Sequence, residues 1–465
     1  MCDVSSEEIV SGSVPRVLVV LAAPLVAQNF ALVAQSVVDL FWVGRLGSTA
    51  VAAVGLASVV GALALVPFYA FFTGTQVVTS QRVGADDPAA ARRVPFTAAA
   101  MAVALAVVVG AALVLVADPV VALFTGDATV ATLGANYLTA YALAVVTIAA
   151  SDTLEGGFTG WGDTRAALYI NLTAIVVNVV ADPLLILGWG PFPRLELFGA
   201  ALATAIGYGV GAALALGLAA RGREGFVLTH TAVWPHLDTA REVVEVGLPV
   251  AGQNGGRQLA RLGMIWVVST VGGPAGLAAY HIGAQVATVA FVPAQGVAGA
   301  ATSVVGQNLG ADQPARAKRA TWTAVGLAAV ALAAFGALQW VAPGPIARVF
   351  VPDLSGASLS NAVLYLQILA VGYPALGAIY TLEAGFNGAR RTTVSMYSTL
   401  CQYWLVRLPV AAVGGFVLAA GVAAPFWAVT LSNVAAAGWL AVYFYRSTTR
   451  EMLARASDDA ASSAD

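Results

Sequence analysis

Lysine is almost missing from this chain: Lys318 is the only one among 22 basic residues, and charged residues of either sign fill only 10% of 465 positions. A soluble domain carries charge at roughly a quarter of its positions. The net charge is -2 and the cations are not clustered. That excludes the phosphate-neutralising surface a nucleic-acid partner requires. Cys2 and Cys401 are the only cysteines, too few for a disulfide framework and without metal-ligand spacing. His230, His236 and His281 are not spaced for a metal either, and no nucleophile motif, glycine-rich phosphate loop or nucleotide site stands out. Neither an enzyme nor an ATP-driven pump is supported, and no cofactor is expected.

What the chain has instead is apolar mass: 59% hydrophobic residues and a mean hydropathy of +0.83. In a bilayer each lipid-facing segment must satisfy its own backbone hydrogen bonds, so long apolar runs are read as helices of about 20 or more residues. Breaks at charge and at Gly/Pro/Asp clusters set approximate spans of 16–44, 49–74, 94–117, 130–155, 166–188, 197–220, 242–271, 277–301, 319–342, 360–385, 394–418 and 421–445. The polar, acidic start from Met1 to Ser13 does not read as a cleaved leader, and the first apolar run is expected to remain as a transmembrane helix.

The two halves of the sequence echo each other. Ala23-Pro24-Leu25-Val26-Ala27-Gln28-Asn29 returns as Leu248-Pro249-Val250-Ala251-Gly252-Gln253-Asn254, an offset of 225. Gln81 to Pro88 returns as Gln307 to Pro314 at offset 226, and Leu154-Glu155-Gly156-Gly157-Phe158 as Leu382-Glu383-Ala384-Gly385-Phe386 at offset 228. Repetition of this size in an apolar chain marks secondary transporters, whose substrate path lies between repeats. Six spans per copy return the chain to its starting side. The expected fold is therefore an all-α membrane protein of twelve transmembrane helices in two six-helix lobes, related by a pseudo-twofold axis along the membrane normal. The expected domains are a cytoplasmic amino-terminal tail (1–15), an amino-terminal lobe (16–220), a cytoplasmic linker (221–241), a carboxyl-terminal lobe (242–445) and an acidic cytoplasmic tail (446–465).

Orientation follows from the cations. Sixteen fall on one side: Arg16, Arg82, Arg92, Arg93, Arg165, Arg221, Arg223, Arg241, Arg316, Lys318, Arg319, Arg390, Arg391, Arg446, Arg450 and Arg455. Only Arg45, Arg194 and Arg348 fall on the other, so both termini are expected in the cytoplasm of a cell-membrane protein.

An ionisable residue at the centre of a spanning helix costs roughly 2.5 to 3.5 kcal/mol on insertion scales, so those present need a partner or a purpose. Asp39 lies ~35 Å along the first helix from Arg16 but ~9 Å from Arg45, and Asp182 ~25 Å from Arg165, at about 1.5 Å per residue. Both belong to the outer half of the membrane. Asn178 precedes Asp182 by four residues and shares its helical face, and Thr204 enters the sixth helix at a depth where its hydroxyl can join them. Two carboxylates, an amide oxygen and a hydroxyl form a hard-oxygen set suited to Na+. The same two acids can instead hold protons, because desolvation and mutual repulsion favour the neutral carboxyl. The alternative is that they only glue neighbouring helices together. In the second copy the register of Asp39 falls near Met264 and that of Pro183 on Pro409, with no acid beside it. Pro183 and Pro24 each free a carbonyl one turn back, where a bend can be stored.

Pro24 with Gln28 and Gln35, followed by Asp39-Leu40-Phe41-Trp42-Val43-Gly44-Arg45-Leu46-Gly47, resembles the first-helix signature of the multidrug and toxic compound extrusion (MATE) family. Glu155-Gly156-Gly157-Phe158 with Gly162-Asp163-Thr164-Arg165 looks like the exit of that family's fourth helix, and Asn178 to Asp182-Pro183 like its fifth. The similarity covers essentially the whole chain. A pair of acids in the amino lobe alone is similar to the DinF-like and archaeal branch. The resemblance implies an antiporter that exports amphipathic, often cationic compounds in exchange for Na+ or H+. It implies that Asp39, Asn178, Asp182 and Thr204 form the cation site, with Tyr137 as a neighbour. The expected partners are an amphipathic small molecule and membrane lipid, and the expected state is a monomer. The chain departs from other branches in lacking an acidic cation site in the carboxyl lobe.

Gln28, Gln35, Gln253, Asn254, Arg257 and Arg261, on the first and seventh helices, are candidates to line a substrate cavity. Arg257 and Arg261, one turn apart, either line that cavity or stack against the linker. Glu155 and Glu383 occupy equivalent cytoplasmic ends and are expected to clasp neighbouring cationic loops. Arg407 is expected to pair within its own lobe. A lipid-linked oligosaccharide flippase of related fold is the alternative, and only Arg257, Arg261 and Arg407 could supply the cationic groove it needs.

Overall fold

The computed structural model describes residues 5–462; Cys2, the rest of the first four residues and the last three residues of the acidic tail lie outside the described residues. Among the described residues every regular element is a helix. The spans are α1 (Val14–Gly44), α2 (Ser48–Leu65, continued by Phe68–Gly84 beyond Pro67), α3 (Pro88–Ala122), α4 (Ala128–Trp161), α5 (Thr164–Ile186) and α6 (Glu196–Ala220). Leu237–Gly310 holds α7 and α8: its 74 residues are far too long for one crossing, and it turns at Gly273, whose φ of +58° is open to glycine. Then come α9 (Pro314–Val341), α10 (Gly356–Gly388), α11 (Thr392–Val417) and α12 (Ala423–Thr449). The twelve expected spans are present, several of them longer than the apolar runs. α2 is helical to Gly84 although Thr75, Gln76, Thr79, Ser80 and Gln81 are polar, because the protein interior rather than lipid surrounds them.

The helices bury their small side chains. On α3, Ala98, Ala102, Ala106, Gly110, Leu113, Ala117 and Val121 recur every three or four residues along one buried stripe. The bulky Val107, Val108, Val114 and Leu115 point outward, Leu115 at 80% exposure. Lipid tails are as apolar as leucine, so burying leucine gains little there, and helices associate by close backbone approach instead. Gly110 shows this: a methyl group there would lie 3.0 Å from the Ala142 carbonyl oxygen of α4. Helix starts are set locally. Asp87, Asp127 and Asp163 each accept a backbone N–H from the first turn of the helix that follows them, and Pro88 takes the first helical position of α3.

The chain divides into two compact units. The first is Ala27–Ala251, and the second comprises the described residues before and after it. The division passes through α1 near Val26 and through α7 near Ala251, rather than at the 221–241 linker where composition places it. Each unit therefore holds five whole helices of one sequence half, most of a sixth, and the amino-terminal arm of the first helix of the other half. In the first unit the arm of α7 is held by Arg82, which donates to Glu242 Oε2 at 2.6 Å and to Thr239 Oγ1 at 3.2 Å. In the second unit the arm of α1 packs so closely on α8 that a methyl at Gly296 would meet the Val26 nitrogen at 2.9 Å. There Arg316 also donates to the Ile9 and Gly12 carbonyls.

The linker is anchored to the first unit. Phe226 is fully buried, its ring 4.5 Å from Phe158 and 5.4 Å from Trp161, and Arg223 pairs with Asp163 at 2.5 Å. That hydrogen bond raises the Arg223 pKa above its ordinary value. Arg82 and Glu242 are both largely enclosed, at 8% and 15% side-chain exposure. Removing one member of such a pair strands the other, at a cost of about 3 to 5 kcal/mol. Glu242→Gln is expected to lower the thermal midpoint of the purified protein by several degrees, measured by intrinsic fluorescence. An unchanged midpoint would mean that this pair does not hold the α7 arm.

Candidate functional site

In the first unit, four helices bring their polar side chains to one place. α1 supplies Gln35 and Asp39, α4 supplies Tyr137, α5 supplies Asn178 and Asp182, and α6 supplies Thr204. Asn178 and Asp182 are each 1% exposed, and the one-turn spacing read from the sequence puts both on the inner face of α5. The carboxyl groups of Asp39 and Asp182 meet in a hydrogen bond, and Gln35 also bonds to Asp39. Gln35 Nε2 lies 2.7 Å from Asn178 Oδ1, and Asn178 Nδ2 lies 3.4 Å from Thr204 Oγ1. Turned end for end, the Asn178 amide donates to Asp39 Oδ1 at 3.0 Å and accepts from the Thr204 backbone N–H at 3.2 Å. An amide is oriented by its partners, and a carboxylate is the stronger acceptor; the turned orientation serves Asp39 but sets Asn178 Nδ2 2.7 Å from Gln35 Nε2, so the Gln35 amide has to turn with it. Either way Asn178 ties α1 to α6. Thr204 also donates to the Ala200 carbonyl, Tyr137 stands within electrostatic range of both acids, and Asp182 Oδ2 is buried without a hydrogen-bond partner.

Two carboxyl oxygens cannot sit at hydrogen-bond distance while both are ionised and dry; a proton or a cation must lie between them. The arrangement can thus take up and release one positive charge. Its reach across α1, α5 and α6 means that loading changes how these helices attract one another. The donor set also suits Na+, being oxygen only once the amide presents its carbonyl.

A second polar cluster in the same unit corrects one expectation. Glu155 does not clasp cationic loops. It is buried, accepting from Gln28 Nε2 at 2.7 Å and from Asn171 Nδ2. Both partners are neutral, because Glu155 is buried among the side chains of neighbouring helices. Gln28, a cavity candidate, is thereby committed to Glu155. The second unit repeats the motif: Glu383 accepts from Thr399 Oγ1 at 2.9 Å and bonds to Gln253, which in turn donates to Thr399 at 2.9 Å. The offsets from Gln28 to Gln253 and from Glu155 to Glu383 are those of the sequence repeat, 225 and 228. Asp152, one turn before Glu155 and electrostatically coupled to it, is a further half-buried acid that no sequence motif singled out; the Asp-x-x-Glu spacing on an apolar helix is the signal that could have found it.

In the second unit Asn254 is half-buried, and Arg257, Arg261 and Arg407 line one cavity. Arg407 bonds within its unit as expected, but to Ser432 and Asn433 rather than to an acid. Of the two proline positions, Pro24 interrupts the α1 ladder two residues before the unit boundary, and Pro183 follows Asp182 directly.

The MatE family model matches this chain twice, over residues 24–184 and again over 249–413. The chain belongs to the MatE family. The two matches begin at Pro24 and Pro249, the 225-residue offset of the repeat. A probable multidrug resistance protein NorM from Deinococcus radiodurans is 30% identical to this MatE chain over 400 residues, covering 84% of this chain and 86% of the relative. Among solved structures, a MOP superfamily transporter from Pyrococcus furiosus superposes with a TM-score of 0.89 at 20% identity, covering 96% of this chain and 98% of that one. A MATE protein in complex with MaL6 superposes at 0.88 and 21% identity, covering 95% and 99%. These likenesses carry the fold. As a MatE protein the chain is a multi-pass membrane transporter and not an enzyme. The flippase alternative is not favoured.

Proposed function

We propose that this MatE transporter is a secondary antiporter of the cell membrane, with both termini in the cytoplasm, that exports amphipathic small molecules, drugs among them, in exchange for a cation held by Asp39 and Asp182. The observation that carries the reading is the direct contact of these two carboxyl groups inside the bundle, with Asn178, Thr204 and Tyr137 around them. Multidrug resistance in the Deinococcus relative's name agrees with it. Loading the site places one positive charge between the two carboxyl groups and so favours one arrangement of α1 against α5 and α6. Export follows if the drug prefers the other arrangement, since a ligand that binds both states equally shifts neither.

Contact between the carboxyls supports H+ as the exchanged cation. The oxygen-rich surroundings support Na+ as the second reading. Proteoliposomes holding a fluorescent amphipathic dye distinguish them, with a Na+ gradient and a proton gradient imposed in separate runs. Efflux driven by the proton gradient alone is expected. Efflux driven by Na+ alone would move the assignment to sodium, and efflux indifferent to both would remove cation coupling.

A further inference from the structure

The cavity in the second unit has the opposite polarity to the acid site of the first. It measures about 200 Å³ and is lined by Arg257 and Arg261 of α7, by Arg407 of α11 and by a wall of tyrosines, with no carboxylate among its lining residues. Arg407 is only 7% exposed, and its partners are neutral: Ser432 Oγ at 2.9 Å, Asn433 Oδ1 at 2.6 Å and the Tyr403 ring, whose centroid lies 3.9 Å from the guanidinium carbon. The acid nearby is Glu383, behind the lining, which interacts with Arg257 and is already bonded to Thr399 and Gln253. Three guanidinium groups line the space, and among the described residues the acid placed beside them is Glu383, next to Arg257. Inside a membrane bundle such a surplus of positive charge is costly unless an anion joins it.

The rest of the wall is aromatic. Tyr280 and Tyr365 stack at 5.7 Å with 20° between their planes, and Tyr373 and Tyr380 continue the surface around Phe291. α11 is π-helical over Cys401–Arg407, a local widening found frequently at functional sites. The repeat sharpens the contrast. At offset 228, Asp152 of the first unit corresponds to Tyr380 of this cavity, and Tyr137 corresponds to Tyr365. The fold is kept while the acid is exchanged for an aromatic ring.

We infer that this cavity binds a single-ring aromatic anion, a carboxylate, sulfonate or phosphate ester, its charged group on Arg261 and Arg407 and its ring against the tyrosines. A planar guanidinium fork matches such oxyanions, and an apolar cavity of roughly 150 Å³ holds benzene, so the measured space admits one ring with a small head group. The inference deepens the exporter reading, and rests on it, by naming a substrate class that excludes a purely cationic cargo.

The test is equilibrium binding to the purified full-length protein in detergent, by isothermal titration calorimetry, without any gradient. Benzenesulfonate, charged at every working pH, is compared with neutral benzamide, with benzylammonium and with inorganic phosphate. Benzenesulfonate is expected to bind saturably and at least about tenfold more tightly than each of the others, the least that one charge-assisted hydrogen bond contributes. Arg261→Gln, at an exposed side chain whose loss leaves packing intact, should weaken it by about tenfold and leave the thermal midpoint unchanged. Arg261→Glu should abolish it. Equal binding of benzamide and benzenesulfonate, preference for benzylammonium, or undiminished affinity in both Arg261 variants would each overturn the inference. Gradient-driven efflux of a cationic dye without sulfonate binding would leave the exporter standing and remove the anion site. Sulfonate binding without driven efflux would do the reverse.

Discussion

Asp182→Asn is expected to reduce cation-driven efflux in proteoliposomes by at least about a hundredfold while the protein remains folded in the membrane. Asparagine preserves volume and hydrogen-bonding capacity but can neither lose a proton nor neutralise a cation, so the exchangeable charge is gone. Asp39→Asn should do the same, because the charge belongs to the pair rather than to either residue. The double variant is expected to be no worse than either single one, the signature of groups acting as a unit. Folding should survive, since replacing one of two touching carboxyls by an amide removes repulsion without stranding a charge. Size-exclusion elution and thermal midpoint serve as controls. If both single variants transport like the parent, the pair has only a structural role.

Gly247→Val is expected to prevent accumulation of folded protein. Gly247 lies on the α7 arm, four residues after Val243, which is itself pressed against Gly74 of α2. A methyl at Gly247 would lie 2.6 Å from the Ala70 carbonyl carbon and 2.8 Å from its Cα, and closer still to its oxygen. These are backbone atoms of another helix, which cannot rotate away. Overpacking usually costs about 1 to 3 kcal/mol and more where backbone must move. The added branch of valine makes that movement unavoidable. Gly217→Val on α6 is the matched control: a methyl carbon there would meet nothing within 4 Å, and the variant should accumulate normally. Equal yields for the two variants in a fluorescence-detected elution assay would mean that α2 and α7 do not approach this closely in the bilayer.

Much of the architecture is readable because lipid imposes one rule on the backbone. Uninterrupted apolar length has to become helix, and the Gly/Pro/Asp clusters have to become turns, so the twelve spans can be placed without tertiary information. Their ends fall short where polar residues such as Gln76 and Gln81 continue a helix inside protein rather than in lipid. The candidate cation residues are legible for a related reason: an aspartate in an apolar helix is conspicuous against so little charge, and the Asn178 to Asp182 spacing fixes a shared face. Glu155 is not legible in this way, because spacing reports which face a carboxylate occupies but not what lies opposite. Gln28 and Asn171, 127 and 16 residues away, reach it only in the folded bundle. The tyrosines around Arg407 are equally silent, since an aromatic residue in an apolar helix carries no local mark of being a binding surface.

By itself, then, the amino-acid order determined the helical class, the duplication and the presence of two acids within apolar helices of the first lobe, all of which follow from local hydropathy and from counting along a helix. Only the tertiary structure decided that the carboxyls of Asp39 and Asp182 touch, that the compact units divide within α1 and α7, and that three arginines share one aromatic cavity. Those facts depend on contacts between residues far apart in the chain. Their geometry is set by which small side chains let two backbones approach, a property of pairs of helices that no single segment carries.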